Sequence, residues 1–282
     1  MPKPEIAALG DNCIDRFLPP VDDCLVGGNA VNVAVQLALL EERVHYFGAV
    51  GDDAAGAAVR AALDGHGVAI ENLRTITGQR TAYTDIEISE DGERTFVFEE
   101  FGACAAYVPS SAEIASLRRM RHVHIGWLND GGAAKRALAG SGVSISQDLT
   151  VNNRPENLSP EYLDVAICSA EPQQAEVAAR RLIEGGARLA IVTLGAAGSL
   201  AFDGQRSLSV SAPAVTPEDT TGAGDAFIAG FLHAHLAGRS LEHALRCGAG
   251  REALACMYRG GFPQIPLKGL LEPWAEPDIT DL

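Results

Sequence analysis

A chain of 282 residues that is 47% apolar can bury one large three-layer core or two modest ones. Its formal charge of −15 excludes a phosphate-binding nucleic-acid surface and makes an anionic membrane a poor partner. No apolar run reaches the ~20 residues needed to span a bilayer, and Met1–Glu5 lacks the apolar core of a signal peptide. The six cysteines are scattered with no Cys-x-x-Cys pair, as expected of small buried hydrophobes in a cytoplasmic protein.

Ile6–Leu9 is short, apolar and stopped by Gly10, the pattern of a buried strand. Val33, Ala34, Leu37 and Ala38 then recur at helical spacing and predict a helix over 29–40, preceded by Gly27 and Gly28. On that helix Asn29, Asn32 and Gln36 form a polar stripe, with Gln36 expected to face water. A strand over 44–50 and a helix over 54–63 follow. Thr81–Ser89 and Arg94–Phe101 are β-rich segments around Asp91-Gly92, a hairpin signal, and predict a small lid over about 81–101. Further strands are expected at Val123–Ile125, Val143–Ser146, Val165–Ile167 and Leu189–Thr193, with a helix over 173–183. This alternation predicts a single α/β domain over 1–282, a mainly parallel sheet flanked by helices. The tail after Pro263, with Pro266, Pro273 and Pro277, is expected to be irregular.

The run Asp219-Thr220-Thr221-Gly222-Ala223-Gly224-Asp225 carries the most chemistry. An apolar helix pattern begins straight after it, at Ala226, Phe227, Ile228 and Ala229. Glycines at a helix start expose free N–H groups, and the helix dipole adds partial positive charge. Such a turn can hold a phosphoryl group without Lys or Arg. Asp225 beside it is either the carboxylate that accepts a nucleophile's proton or a helix cap, and spacing alone leaves both open. No Gly-Lys-Ser/Thr follows, so this is not a Walker A loop. Phe227 takes the place of the last glycine of a dinucleotide fingerprint, and Gly10-Asp11-Asn12 does not supply one after the first strand. His122 and His124 alternate on a strand without a third convincing zinc ligand.

The Asp219–Asp225 run resembles the Asp-Thr-x-Gly-Ala-Gly-Asp signature of the PfkB/ribokinase sugar kinases. Three further motifs match in order: Gly27-Gly28-Asn29-Ala30-Val31-Asn32, Gly48-Ala49-Val50-Gly51-Asp52 and Thr193-Leu194-Gly195-Ala196-Ala197-Gly198. The resemblance implies a three-layer ribokinase-like fold and transfer of the γ-phosphoryl of ATP to a primary sugar hydroxyl. Asp225 would be the catalytic base, in a turn with Gly222, Ala223 and Gly224, and the N–H groups of Ala223, Gly224 and Asp225 would stabilise the transferred group. It implies sugar contacts from Asp11, Asp15, Gly28, Asn29 and Asn32, with Gly28 letting the sugar approach the backbone. Arg94, on the lid, would reach a substrate hydroxyl or the phosphate. Thr193, Gly195 and Gly198, together with Gly222 and Gly224, would line the nucleotide. Mg²⁺ would arrive on ATP, although the family's Asn-x-x-Glu run is replaced here by Ser169-Ala170-Glu171-Pro172-Gln173. A monovalent cation such as K⁺ would sit near Asp219 and Thr221, and lid strands paired between subunits would make a homodimer.

Within the family, Gly10–Asp15 and the Gly-Gly-Asn-Ala-Val-Asn run are most similar to fructoselysine 6-kinases, which act on O6 of sugar–amine adducts. Glu87, Glu99 and Glu100 are then candidates to attract a substrate amine. The alternatives are fructose, a keto-deoxy sugar acid or a nucleoside as acceptor, or a sugar-binding protein without catalysis.

Overall fold

The computed structural model describes residues 5–88 and 94–267. In chain order its first strands are β1 (Glu5–Leu9), β2 (Cys13–Phe17), β3 (Asp23–Gly27), β4 (Arg43–Gly51) and β5 (Ala69–Ile76). Then come β6 (Tyr83–Ile88), β7 (Arg94–Glu100), β8 (His122–Ile125) and β9 (Ser144–Asp148). The last are β10 (Val165–Ser169), β11 (Leu189–Thr193), β12 (Ser199–Phe202) and β13 (Ser207–Val210). The helices are α1 (Asn29–Leu39), α2 (Ala54–Gly65), α3 (Gly102–Ala105) and α4 (Ser111–Leu117), then α5 (Ala133–Leu138), α6 (Ala175–Glu184), α7 (Ala223–Leu236) and α8 (Leu241–Ala255).

Nine strands form one sheet in the order β13-β12-β11-β10-β9-β8-β1-β4-β5, parallel from β5 to β11 and antiparallel beyond. Successive side chains of a strand point to opposite faces, and β1 shows how that builds two cores. Ile6 and Ala8 pack with Val31, Phe227 and Leu245 from α1, α7 and α8. Ala7 and Leu9 pack on the other face with Leu117, Leu138 and Ala179 from α4, α5 and α6. The three-layer α/β reading therefore holds, because buried parallel strands need helices on both faces.

A second, four-stranded sheet has the order β3-β2-β6-β7 around a small core of Phe17, Leu25 and Ile86. The hairpin expected over about 81–101 supplies β6 and β7, paired antiparallel from Tyr83↔Glu100 to Ile88↔Arg94. Its turn lies outside the described residues, as do the Arg94 side chain and the chain after Leu267. The expectation missed β2 and β3, which double the sheet. β2 carries a buried Asp15 and a buried Arg16, so no apolar alternation marks it. Arg16 is neutralised by a bidentate pair with Asp85 at 2.6 and 2.8 Å and lies 3.8 Å above the Tyr83 ring.

Gln36 also departs from expectation. It is fully buried, donating to the Tyr258 hydroxyl and the Gly261 carbonyl and accepting from Arg251 Nε at 2.7 Å. Those partners sit more than 200 residues away, and they tie α1 to α8 and the loop after it.

Candidate active site

The site lies at the carboxyl ends of the parallel strands, where such sheets open onto ligands. Asp11 follows β1, Trp127 follows β8 and Asp148 closes β9. α7 brings Asp225 to the same edge.

A cavity of about 410 Å³ opens there between the two sheets. Asp11, Asp15, Gly28, Asn29, Asn32, Thr221, Gly222 and Asp225 line it, so the expected sugar-side residues other than Arg94 gather in one place. The second sheet adds Tyr83, Thr84, Phe96, Glu99 and Glu100. Trp127 and Phe101, stacked with ring centroids 4.2 Å apart, form an apolar wall.

Asp225 is not a helix cap. Its two carboxylate oxygens accept from Asn29 Nδ2 at 2.5 Å and Asn32 Nδ2 at 2.7 Å, both on α1. Asn29 and Asn32 are three residues apart, hence on one helix face, which is why one carboxylate meets both. Asn29 Nδ2 also donates to Asp148 Oδ2 at 3.0 Å, so one amide bridges two carboxylates. Burial raises Asp225 well above the usual carboxylate range, the nearby charges of Asp148 and Asp11 raise it further, and the two amides oppose the rise. The same desolvation raises Asp148 and Asp11. A carboxylate held up in this way is a better base than a free one.

The other sugar-side residues divide by role. Asp11 accepts from the backbone N–H groups of Asn29, Ala30 and Trp127 at 2.8, 3.1 and 3.1 Å, so it joins α1 to the loop after β8. Asp15, buried on β2, accepts from the Cys13 thiol at 3.2 Å. Gly28 has φ +106, and a Cβ there would meet Asn12 Cα at 2.6 Å. A backbone neighbour thus already requires glycine at this cavity-lining position. Gly222 has φ +69 and would carry a Cβ into the Gly261 backbone.

Beyond Gly222, no side chain caps α7. The Ala223 N–H already donates to Thr220 O at 3.2 Å and that of Ala226 to Gly222 O at 2.9 Å. The expected three-residue cradle is therefore reduced to Gly224 and Asp225, whose N–H groups lie in the first turn where the helix offers no carbonyl. On the far side of this turn a second cavity, about 480 Å³, is lined by Thr220 and Ala223, by Gly195, by residues 212–215 and by one face of α8. Of the expected nucleotide residues, Gly195 reaches it, Gly222 lines the first cavity instead, and Thr193, Gly198 and Gly224 line neither. Thr193 Oγ1 lies 2.8 Å from Ser169 Oγ, and Gly198 (φ +100) is held against β13.

Asp219 accepts from the N–H groups of Thr221 at 2.7 Å and Gly260 at 2.9 Å, while the buried Thr221 Oγ1 has no partner among the described residues. Glu171 is exposed after β10. His122 and His124 are buried around the Ser146 hydroxyl, and burial lowers both to about 3, so they are neutral.

Asp148 went unread in the sequence because the strand was expected to end at Ser146. The signal that could have found it is its place at the carboxyl end of a parallel strand. Trp127 and Phe101 come from loops distant in sequence, and nothing local marks their stacking.

The model of the pfkB family carbohydrate kinases matches residues 23–137 and 158–266. The fructoselysine 6-kinase of Escherichia coli K12 is 34% identical over 263 residues, covering 91% of this chain and 99% of its own. The acarbose 7(IV)-phosphotransferase of Actinoplanes sp. is 34% identical over 255 residues, covering 86% and 84%. The structure of Arabidopsis thaliana ribokinase with ribose and ATP superimposes with a TM-score of 0.83 at 25% identity, covering 92% and 94%. With a family model spanning most of the chain and a cavity-lining Asp225 in the Gly-Ala-Gly-Asp turn, the chain belongs to the pfkB family of carbohydrate kinases.

Proposed function

We propose that the chain transfers the γ-phosphoryl of ATP to a primary hydroxyl of an amine-bearing sugar, the O6 of fructoselysine or a close analogue. The observation that carries the transfer is Asp225, held by Asn29 and Asn32 at a turn with one cavity on each side. The acceptor hydroxyl enters from the carboxylate-lined side, gives its proton to Asp225 and attacks the phosphoryl group in line. The Gly224 and Asp225 N–H groups and the α7 dipole meet the charge that develops. The second sheet covers the acceptor and keeps water, the competing nucleophile, away.

Support for an amine comes from the wall charges. Asp11, Asp15, Glu99, Glu100 and Asp225 line the acceptor cavity, and no Lys or Arg does so among the described residues. A cation is attracted there, whereas the carboxylate of a keto-deoxy sugar acid would be repelled. Among the relatives, one at 34% identity is a fructoselysine 6-kinase.

No group of three His, Cys, Asp or Glu side chains among the described residues is placed to hold a metal. Mg²⁺ would arrive on the nucleotide and would supply charge compensation for its phosphate oxygens. The unpartnered Thr221 hydroxyl beside Asp219 fits a monovalent cation such as K⁺. Phe96, Val97 and Phe98 are exposed on β7, an edge strand of the second sheet, and would be covered in a homodimer. A single monomeric species by sedimentation across the micromolar range would remove the dimer. The scattered thiols suit the cytoplasm.

The test is ADP release with ATP, Mg²⁺ and a panel of fructoselysine, fructose, ribose and adenosine. Fructoselysine-dependent turnover above the neutral sugars is expected. Turnover that prefers fructose or adenosine would keep the kinase and discard the amine.

A further inference from the structure

The cavity on the nucleotide side of the turn carries a feature that phosphoryl transfer does not use. Ala249, Glu252 and Ala253 share one face of α8 and, with Cys256 just past its end, form one wall of the cavity. Apart from Thr220, everything else around it is Gly, Ala, Val or Pro. Glu252 is the sole charged side chain lining it, and among the described residues its carboxyl makes no hydrogen bond or ion pair. Its neighbour Arg251 turns away, donating to Gln36 Oε1 at 2.7 Å, and residues 248, 249 and 255, three or four positions away on the helix, are Gly or Ala. A partly buried carboxyl without a partner costs stability, and an Ala or Leu would fit this apolar wall better.

We propose that Glu252 is the base-reading residue of the nucleotide cavity, accepting a hydrogen bond from an exocyclic amine of the purine. The inference rests on the reading that this cavity holds the nucleotide, and adds which atom of the chain selects it. The small side chains opposite leave a slot for a flat ring, and a slot of this kind grips all purines alike by contact alone. One acceptor aimed into it is the feature able to tell them apart. Burial also raises Glu252 to about 7, so near neutrality much of it is the neutral acid. In that form it accepts from adenine N6–H and can donate to N1, and it adds little repulsion against the phosphates.

The experiment compares ATP with purine riboside 5′-triphosphate, which lacks the 6-amino group, at saturating sugar, in the native chain and in Glu252→Leu and Glu252→Gln. The native protein is expected to favour ATP by about 10-fold in kcat/KM, the usual worth of a buried hydrogen bond. Glu252→Leu brings the two nucleotides within about 2-fold by raising KM for ATP, and Glu252→Gln, which keeps an acceptor, retains the preference. Direct calorimetric binding of ADP and purine riboside 5′-diphosphate gives the same ranking without turnover, and thermal melting reports whether each variant is folded. ATP turnover with undiminished discrimination in Glu252→Leu overturns the assignment and leaves the nucleotide cavity standing. No binding of either nucleotide by the native chain overturns the cavity reading and the assignment with it.

Discussion

The two cavities that meet at the Gly222–Asp225 turn are built from opposite materials. On the acceptor side five carboxylates and a stacked Trp127–Phe101 wall surround about 410 Å³. On the nucleotide side small apolar residues and one glutamate surround about 480 Å³. The difference teaches how a chain with a net charge of −15 handles polyanionic ATP. On the function proposed above, it keeps all but one of these carboxylates on the far side of the turn and would meet phosphate with backbone N–H groups and a helix end. On that proposal the acid that would repel the nucleotide serves as the base and the lure for the acceptor.

That division breaks most visibly at Asp225. Asp225→Asn keeps the shape and one acceptor for the Asn29 and Asn32 amides but cannot take a proton. Sugar-dependent ADP release is expected to fall ~10²–10⁴-fold, with nucleotide affinity little changed. Survival of turnover would transfer the base role elsewhere, and Asp148 would be the first residue to test.

The next effect concerns what tunes Asp225, and two variants should act with opposite sign. Asn29 and Asn32 stabilise the ionised form, so Asn32→Ala raises the pKa of Asp225 further. The base must be ionised to work, so the acid limb of the kcat/KM profile moves to higher pH. Asp148→Asn removes a neighbouring negative charge, lowers the pKa and moves that limb to lower pH. Activity losses of about 10-fold are expected for Asn32→Ala, which also frees the carboxylate to rotate. Profiles that shift together, or not at all, would mean that Asp225 is not the group being titrated.

How much of this was legible follows from how local each signal is. The α1 and α7 helices could be read because their apolar spacing and their glycines are contiguous in the chain. Asp225 could be singled out because its partners in the argument, Gly222 and Gly224, are its neighbours. Gln36 was misplaced because Arg251, Tyr258 and Gly261 are brought to it only by the fold. The second sheet was half legible for a similar reason. The β6–β7 hairpin is local, whereas β2 pairs in parallel with β6 across nearly 70 residues and buries two charged side chains. Asp148 stands at the carboxyl end of β9, a legible place, but its link through Asn29 to Asp225 is made only by the fold.

A milder perturbation sharpens the acceptor side. Glu99 lines the cavity from an exposed edge strand, where a charge pair with a substrate ammonium is screened by water. Glu99→Gln should raise KM for fructoselysine about 2–5-fold, leave KM for fructose unchanged, and lose its effect in high salt. Equal changes for both sugars would remove the electrostatic role.

The smallest expected effect is on stability, and it runs against activity. Asp225 has a folded-state pKa above its ordinary value of 3.8, so its ionised form is disfavoured by folding. Below about pH 3.8 the group is protonated in both states and carries no penalty. As pH rises from there the unfolded chain ionises first, and the stability that the neutral carboxyl contributed is lost through the folded pKa. Asp225→Asn has no proton to lose and escapes that cost. At pH 8 the inactive variant should therefore melt above the native protein, by about 1 kcal/mol or ~2–4 °C, and the gap should close on acidification. An unchanged or lower melting point at pH 8 would mean that the Asn29 and Asn32 amides repay the burial of the charge in full. The acceptor cavity would then hold its base without strain, and the cost of concentrating carboxylates there would have to be met by Asp11 and Asp148 instead.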